Sequence, residues 1–325
     1  MSERANRKIV DWLHSEFYTH GQANSSHAAS SHWAEFSQQF NAQRSEGGTG
    51  CLRGYGFGDL EKGGLANRLF ASASTSLLGL AHRNLELADE VSLCKSIVAK
   101  MELSFSQDAF RQSCTLHLIK GFVGSGCEEI VIIGDGYGVL AALLHYTFPK
   151  ARITLIDLGA VLFFQAVGLA RVFPDESFAL RASDTVIGDE AAAMLRFVPA
   201  ESIPTTCLNF GNLGLAVNIA SMQEMNPEIV AGYFHLLRQN NAQLFYCCNR
   251  LEKILPDGQV SALPSYPWLT EDEHLIDEPC PWHQWFVGLP PIGAANHKWG
   301  SLPLPFLHKY DGTHWHRLTR LVQTK

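Results

Sequence analysis

Three glycines alternate at Gly134, Gly136 and Gly138, with Asp135 and Tyr137 between them. They follow an apolar run, Ile130-Val131-Ile132-Ile133, and precede apolar residues at helical spacing, Val139, Leu140, Leu143 and Leu144. A run so rich in Ile and Val reads as a buried parallel strand. Strand, glycine turn and helix together bring backbone N–H groups close to a ligand at a helix N-terminus. A second apolar strand, residues 152–156, ends in Asp157. An acid at that point accepts hydrogen bonds from a ribose diol. These residues make half of a nucleotide-type site. A dinucleotide turn requires G-x-G-x-x-G. Here the third required position is Val139, and the glycine comes one residue early, at Gly138.

Several elements must hold this turn. Ile9, Val10, Leu13 and Phe17 lie at helical spacing in residues 1–20. Residues 20–50 are rich in Ser, His, Gln, Asn and Gly, and read as irregular with a helical piece at 33–40. Glycines alternate with aromatics over 54–59, Tyr55 among them, and 66–120 reads as helical. Beyond Asp157, a hydrophobic helix is expected over 159–173, closed by Pro174. The third strand is placed at 195–198 in preference to 178–180, with a helix at 184–194. Strands four and five are placed at 213–219 and 243–248. Between them Asn226-Pro227-Glu228 starts a helix: Asn as cap, Pro at the first helical position, an acid in the first turn. A terminal hairpin is read from 304–310 and 315–322 around Asp311-Gly312, since Asp-Gly favours a tight reversal. Alternating strands and helices predict a parallel α/β sheet.

Composition narrows the function. A chain of 325 residues, 46% hydrophobic and 18% charged, has ample material for one or two globular cores. A formal charge of −7 and the lack of a basic run argue against a nucleic-acid partner held through phosphates. The first fourteen residues lack a signal-peptide core, and the apolar run 158–170 is too short to span a membrane. The eight cysteines are scattered without a C-x-x-C pair, as expected of reduced, buried thiols in a cytoplasmic protein.

G-x-G-x-G at 134–138 followed by Asp157 one strand later resembles the class I S-adenosylmethionine-dependent methyltransferases. The stretch 218–225, with Ser221, Glu224 and Met225, together with Phe245-Tyr246 and Asn249-Arg250, looks like the sugar O-methyltransferase family, in which S-x-x-E-M follows the fourth strand. The likeness covers about residues 128–260. It implies a Rossmann-like, mostly parallel sheet with an antiparallel terminal hairpin. It further implies a helical cap region over 1–120, a methyltransferase domain over 121–325, and S-adenosyl-L-methionine as cofactor. The cofactor would then be held by Gly134, Asp135, Gly136, Gly138, Asp157, Leu158 and Ser221. Ile132-Ile133 stand where many such enzymes carry an acid, which leaves Asp135 to hold the methionine amino group. The implied acceptor is a sugar hydroxyl on a glycan or nucleotide-sugar, bound by Asn249, Arg250 and Tyr55.

Methyl transfer to a hydroxyl needs alignment and a base, because a neutral sugar hydroxyl is a poor nucleophile. Glu224, at the fourth strand's mouth, is the first candidate, and its alternative is a helix-start residue. His283 is the second. Six of fourteen histidines fall after residue 270. Cys280-Pro281-Trp282-His283 and His314-Trp315-His316 suggest metal binding, but their spacing is irregular and no paired acids accompany them, so no metal is assigned. Two other classes stay open. Tyr146 and Lys150 match a short-chain dehydrogenase pair, but between the first helix and second strand they lie away from where that pair belongs. A non-catalytic binding protein with this fold is the other. A homo-oligomer is among the partners considered, and its size is left open.

Overall fold

The structure, a computed structural model, describes residues 2–19, 41–42, 52–53, 65–124, 126–205, 208–288, 298–299, 302–303, 306–309 and 313–323. Tyr55, the helical piece at 33–40 and the Asp311-Gly312 turn lie outside the described residues.

Nine strands form the main sheet among these residues. They are β1 Glu129–Ile133, β2 Arg152–Asp157, β3 Phe178–Ala182, β4 Thr185–Ile187, β5 Leu195–Pro199, β6 Leu213–Ile219, β7 Leu244–Arg250, β8 Glu273–Pro279 and β9 His314–Arg320. Their order is β8-β9-β7-β6-β1-β2-β5-β3-β4. The central pairs are parallel, whereas β9 lies antiparallel to both β7 and β8, and β4 to β3. This is the α/β fold expected, a mostly parallel sheet closed by antiparallel strands.

The central parallel strands are buried on both faces, which is why they read as continuous apolar runs. Ile130 and Ile132 of β1 join one core, and Val131 and Ile133 join the other. The first core is covered by α1 Ser2–His14, α3 Ala88–Lys100, α4 Gln107–Ile119, α5 Val139–Thr147 and α6 Gly159–Val172, with α2 Leu65–Ala81 beside α4. The opposite core is covered by α7 Pro227–Gln239 and the segment around Tyr266 and Trp268. α1 is fixed at two points. The Asn6 side chain donates to the Glu176 carbonyl at 3.0 Å and accepts from Phe178 N at 3.2 Å. Just beyond α1, the Phe17 ring fills the space over Gly159, where a Cβ would come within 1.9 Å of it.

Two expectations are corrected. Residues 184–194 are not a helix. Phe178–Ala182 and Leu195–Pro199 are both strands, and a tight turn at Ser183, φ 51°, starts the return strand β4. Ala191-Ala192-Ala193 read as helical, but Gly188 at φ 90° and the Asp189 side chain, which accepts from Ala191 N and Ala192 N, hold them in a turn. The terminal pairing also differs. β9 lies between β7 and β8, and Phe306–Lys309 pairs instead with Trp285–Gly288. Asp-Gly marks a reversal but names no partner. With both edges of β9 taken, the strand before it pairs elsewhere.

Candidate functional site

The glycine turn opens at the carboxyl end of β1. Gly134, Gly136 and Gly138 all take left-handed conformations, at φ 75°, 59° and 82°, which residues with a Cβ adopt only at a cost. At Gly134 there is a second reason for glycine: a Cβ would sit 2.2 Å from Ser221 Oγ. The Ser221 hydroxyl donates to the Ile133 carbonyl at 3.1 Å, joining the mouths of β1 and β6. Gly138 serves the scaffold. It caps α5, and a Cβ there would press on Gln165 of α6 at 3.4 Å. Asp135 likewise turns back onto α5, where its carboxylate accepts from Leu140 N at 3.2 Å and Ala141 N at 2.7 Å. Burial pushes it up to about 8 despite these bonds. The helix N-terminus therefore claims the carboxylate that the sequence offered to the cofactor's amino group.

Asp157 ends β2 beside the turn. Its Oδ2 accepts from Gln165 Nε2 at 2.7 Å and from Asp135 N at 3.2 Å, and its Oδ1 from Leu158 N at 2.9 Å. Burial outweighs these bonds and lifts it to about 7. One lone pair on Oδ1 remains in a carboxylate able to accept about four hydrogen bonds. Glu201 follows β5 and accepts from Gly159 N with both oxygens.

The mouth of β6 is set by a buried amide network. Asn218 donates to the Ile133 carbonyl at 2.8 Å and to Ser221 Oγ, while its oxygen accepts from Met222 N at 3.2 Å and Asn249 Nδ2 at 2.8 Å. Asn249 in turn accepts from Gln223 N at 3.0 Å, and Gln223 Oε1 accepts from Arg250 N at 2.7 Å. Asn249 is fully buried inside this network, so its side chain is spent on holding the strand ends together. Ala220 is held at φ 57° between these groups, strain of the kind that recurs at binding sites. Asn218→Ala strands several buried polar partners at once. We expect it to lower unfolding free energy by about 1–3 kcal/mol, measured by urea denaturation.

These three strand ends surround a cleft of about 220 Å³. Gly134, Asp135, Gly136, Asp157, Leu158, Ser221, Glu224 and His283 all line it, whereas Gly138, Asn249 and Arg250 do not. Glu224 sits on the turn Met222–Glu224, its carboxylate held by Lys253 Nζ at 2.9 Å. The opposite wall was not anticipated. Asp108, Arg111, Gln112 and Thr115 of α4 face the cleft. They fall at i, i+3, i+4 and i+7, one polar stripe along the helix, and that spacing was the available signal. Arg111 donates to Asp108 Oδ1 at 2.8 Å and to the carbonyls of Trp282 and Trp285. Gln107 clasps both backbone groups of Val287. The tail is thereby bound to α4. Tyr146 is 41% exposed at the end of α5 and bonded to Lys100, away from the cleft, so it forms no dehydrogenase pair there.

His283 carries the cleft wall into a buried cluster. Its Nδ1 lies 3.2 Å from Cys280 Sγ and 3.6 Å from Cys248 Sγ, and its ring stacks on His314 at 5.3 Å. Burial pushes the Cys280 thiol up, but hydrogen bonding with Cys248 and the neighbouring His283 and His316 outweigh it and hold that thiol down. Cys248 moves the other way, driven up by burial. Burial lowers His314 to about 2. His314 and His316 do share one face, as their alternation in the strand requires, but that face is internal. Trp282 is buried, and Trp268 packs against Phe234 and Phe245, so these rings close the core.

No family model matches the chain, and no curated protein does. Among solved structures, the mitomycin 7-O-methyltransferase MmcR is 13% identical with a TM-score of 0.36, covering 66% of this chain and 56% of its own. The pyocyanin biosynthetic protein PhzM is 13% identical with a TM-score of 0.32, covering 43% of this chain and 38% of its own. A Pyrococcus horikoshii protein assigned as an RNA methyltransferase is 8% identical with a TM-score of 0.40, covering 73% of this chain and 99% of its own. This chain therefore spans little more than half of the first and under half of the second.

Proposed function

We propose that the chain transfers a methyl group from S-adenosyl-L-methionine to a hydroxyl of a sugar, on a glycan or nucleotide-sugar. One observation carries the reading: the glycine turn, Asp157 and Glu224 face the same cleft at the carboxyl ends of three adjacent parallel strands, where α/β sheets bind ligands. The residues present fit the cofactor. Gly136 leaves backbone where a side chain would stand, and Asp157 retains acceptor capacity for a ribose hydroxyl. When bound, S-adenosylmethionine supplies an electrophilic methyl group on a sulfonium.

The chain's own residues do the rest. Asp157 and the turn fix the nucleoside end. Asp108, Arg111 and Gln112 present donors and acceptors to a polyhydroxylated acceptor, with residues 1–120 as a helical cap beside the cleft. Glu224 takes the acceptor's hydroxyl proton as the oxygen attacks, and Lys253 holds that carboxylate in place. Calorimetry with S-adenosylmethionine and with NADH, followed by labelled-methyl transfer to a panel of nucleotide-sugars and surface glycans, tests the reading. Binding of NADH alone, or cofactor binding without transfer to any sugar, would replace it.

Asp157 makes the reading pH-dependent. Its carboxyl ionises near 7 in the folded chain against an ordinary value of 3.8. The ionised form accepts a ribose hydroxyl best, so cofactor affinity should rise as pH climbs through about 7 and level off above it. Asp157→Ala should bind about 1–3 kcal/mol more weakly and lose this pH dependence. Without cofactor the sign reverses. Because the folded state keeps a proton that the unfolded chain releases, the stability from this group is full below pH 3.8 and is lost through about 7. Thermal melts across that range check it against the variant.

A further inference from the structure

We propose that Cys248, Cys280 and His283 bind a zinc-class divalent metal ion at the wall of the cleft. Their ligand atoms lie within 4.8 Å of one another, and all three residues are buried. The two sulfurs are 3.2 and 3.6 Å from His283 Nδ1. Tetrahedral zinc, with bonds of about 2.3 Å to sulfur and about 2.1 Å to nitrogen, separates a sulfur and a nitrogen ligand by roughly 3.6 Å. At both sulfur–nitrogen pairs an ion is therefore reached with shifts of a few tenths of an ångström. Two thiolates and an imidazole favour zinc over magnesium or calcium, which prefer oxygen.

Rigid elements hold the set. Cys248 lies in β7, paired on both sides. Cys280 follows β8, with its N–H donating to the His314 carbonyl at 2.9 Å. His283 ends the single turn Pro281–His283 begun by a proline. Three protein ligands, one of them also lining the cleft, form the pattern of an ion that keeps one position for water or a bound oxygen. Cys280 and His283 are near in sequence, but Cys248 arrives only through the sheet, so irregular spacing concealed the site.

The test is independent of methyl transfer, because it reads metal. The full chain, purified under reducing conditions without a histidine tag and dialysed against zinc, should carry about one zinc per chain by elemental mass spectrometry. Cys248→Ser and Cys280→Ser should each lose most of it while keeping their far-ultraviolet dichroism, and Cys94→Ser, at a thiol elsewhere in the core, should keep it. Should either serine variant fail to fold, the wild-type chain loaded with cobalt(II) still decides: a thiolate-to-cobalt charge-transfer band is expected. Substoichiometric zinc in the wild type, a cobalt spectrum without that band, undiminished zinc in both serine variants, or a Cys248–Cys280 disulfide under these conditions would each overturn the proposal.

Discussion

Glu224→Gln should leave the fold and cofactor affinity unchanged while turnover falls on the order of 10²–10⁴-fold, the usual worth of a general base. The amide matches the carboxylate in size and keeps an oxygen for Lys253, but it cannot take a proton. Glu224 lines the cleft beside the Ser221 turn, and Lys253 at 2.9 Å fixes its direction. The competing role is helix-start chemistry, because α7 begins three residues later. That role predicts a loss of at most about 1 kcal/mol in stability and nearly normal turnover. Thermal stability, cofactor affinity and turnover measured on this one variant separate the two. Near-normal turnover would end the general-base assignment.

Gly136→Val should lower S-adenosylmethionine affinity on the order of 100-fold or more, as seen by calorimetry. At φ 59° a β-branched side chain is strained, and Gly136 lines the cleft that the proposed cofactor would occupy. Gly211→Val separates the two effects. Gly211 is also left-handed, at φ 46°, but an added Cβ there meets open space. It carries the backbone strain without the obstruction, so its cofactor affinity should match the wild type. Unchanged affinity in a folded Gly136→Val would displace the cofactor from this turn.

The sheet was legible because buried parallel strands write themselves as unbroken Ile and Val runs, and because Asn226-Pro227 and the glycine turn are punctuation that needs no tertiary context. The first wall of the cleft followed, since Gly134, Gly136 and Asp157 sit at strand ends that the same pattern marks. What escaped depends on partners that the strand and turn pattern does not name. Asp135 looked like a ligand residue until the N–H groups of Leu140 and Ala141 claimed it. Asn249 looked like a substrate residue at a strand exit, yet Asn218 and Gln223 bury it. The stripe from Asp108 to Thr115 was visible as spacing, but only docking of α4 against the tail turns that face into a wall.

The placement of β9 has a kinetic consequence. Among the described residues β8 touches the rest of the sheet only through β9, although it precedes β9 by more than thirty residues. As the chain is synthesised, β8 is complete but has no edge to join until His314–Arg320 has been inserted against β7. The edge of β7 stays open through that interval, and closure of this long loop is a slow, non-local step. Pulse-labelled hydrogen exchange during refolding should therefore protect β1, β2 and β6 early and β7, β8 and β9 together at the end. Cys248 and Cys280 would first meet in that last phase.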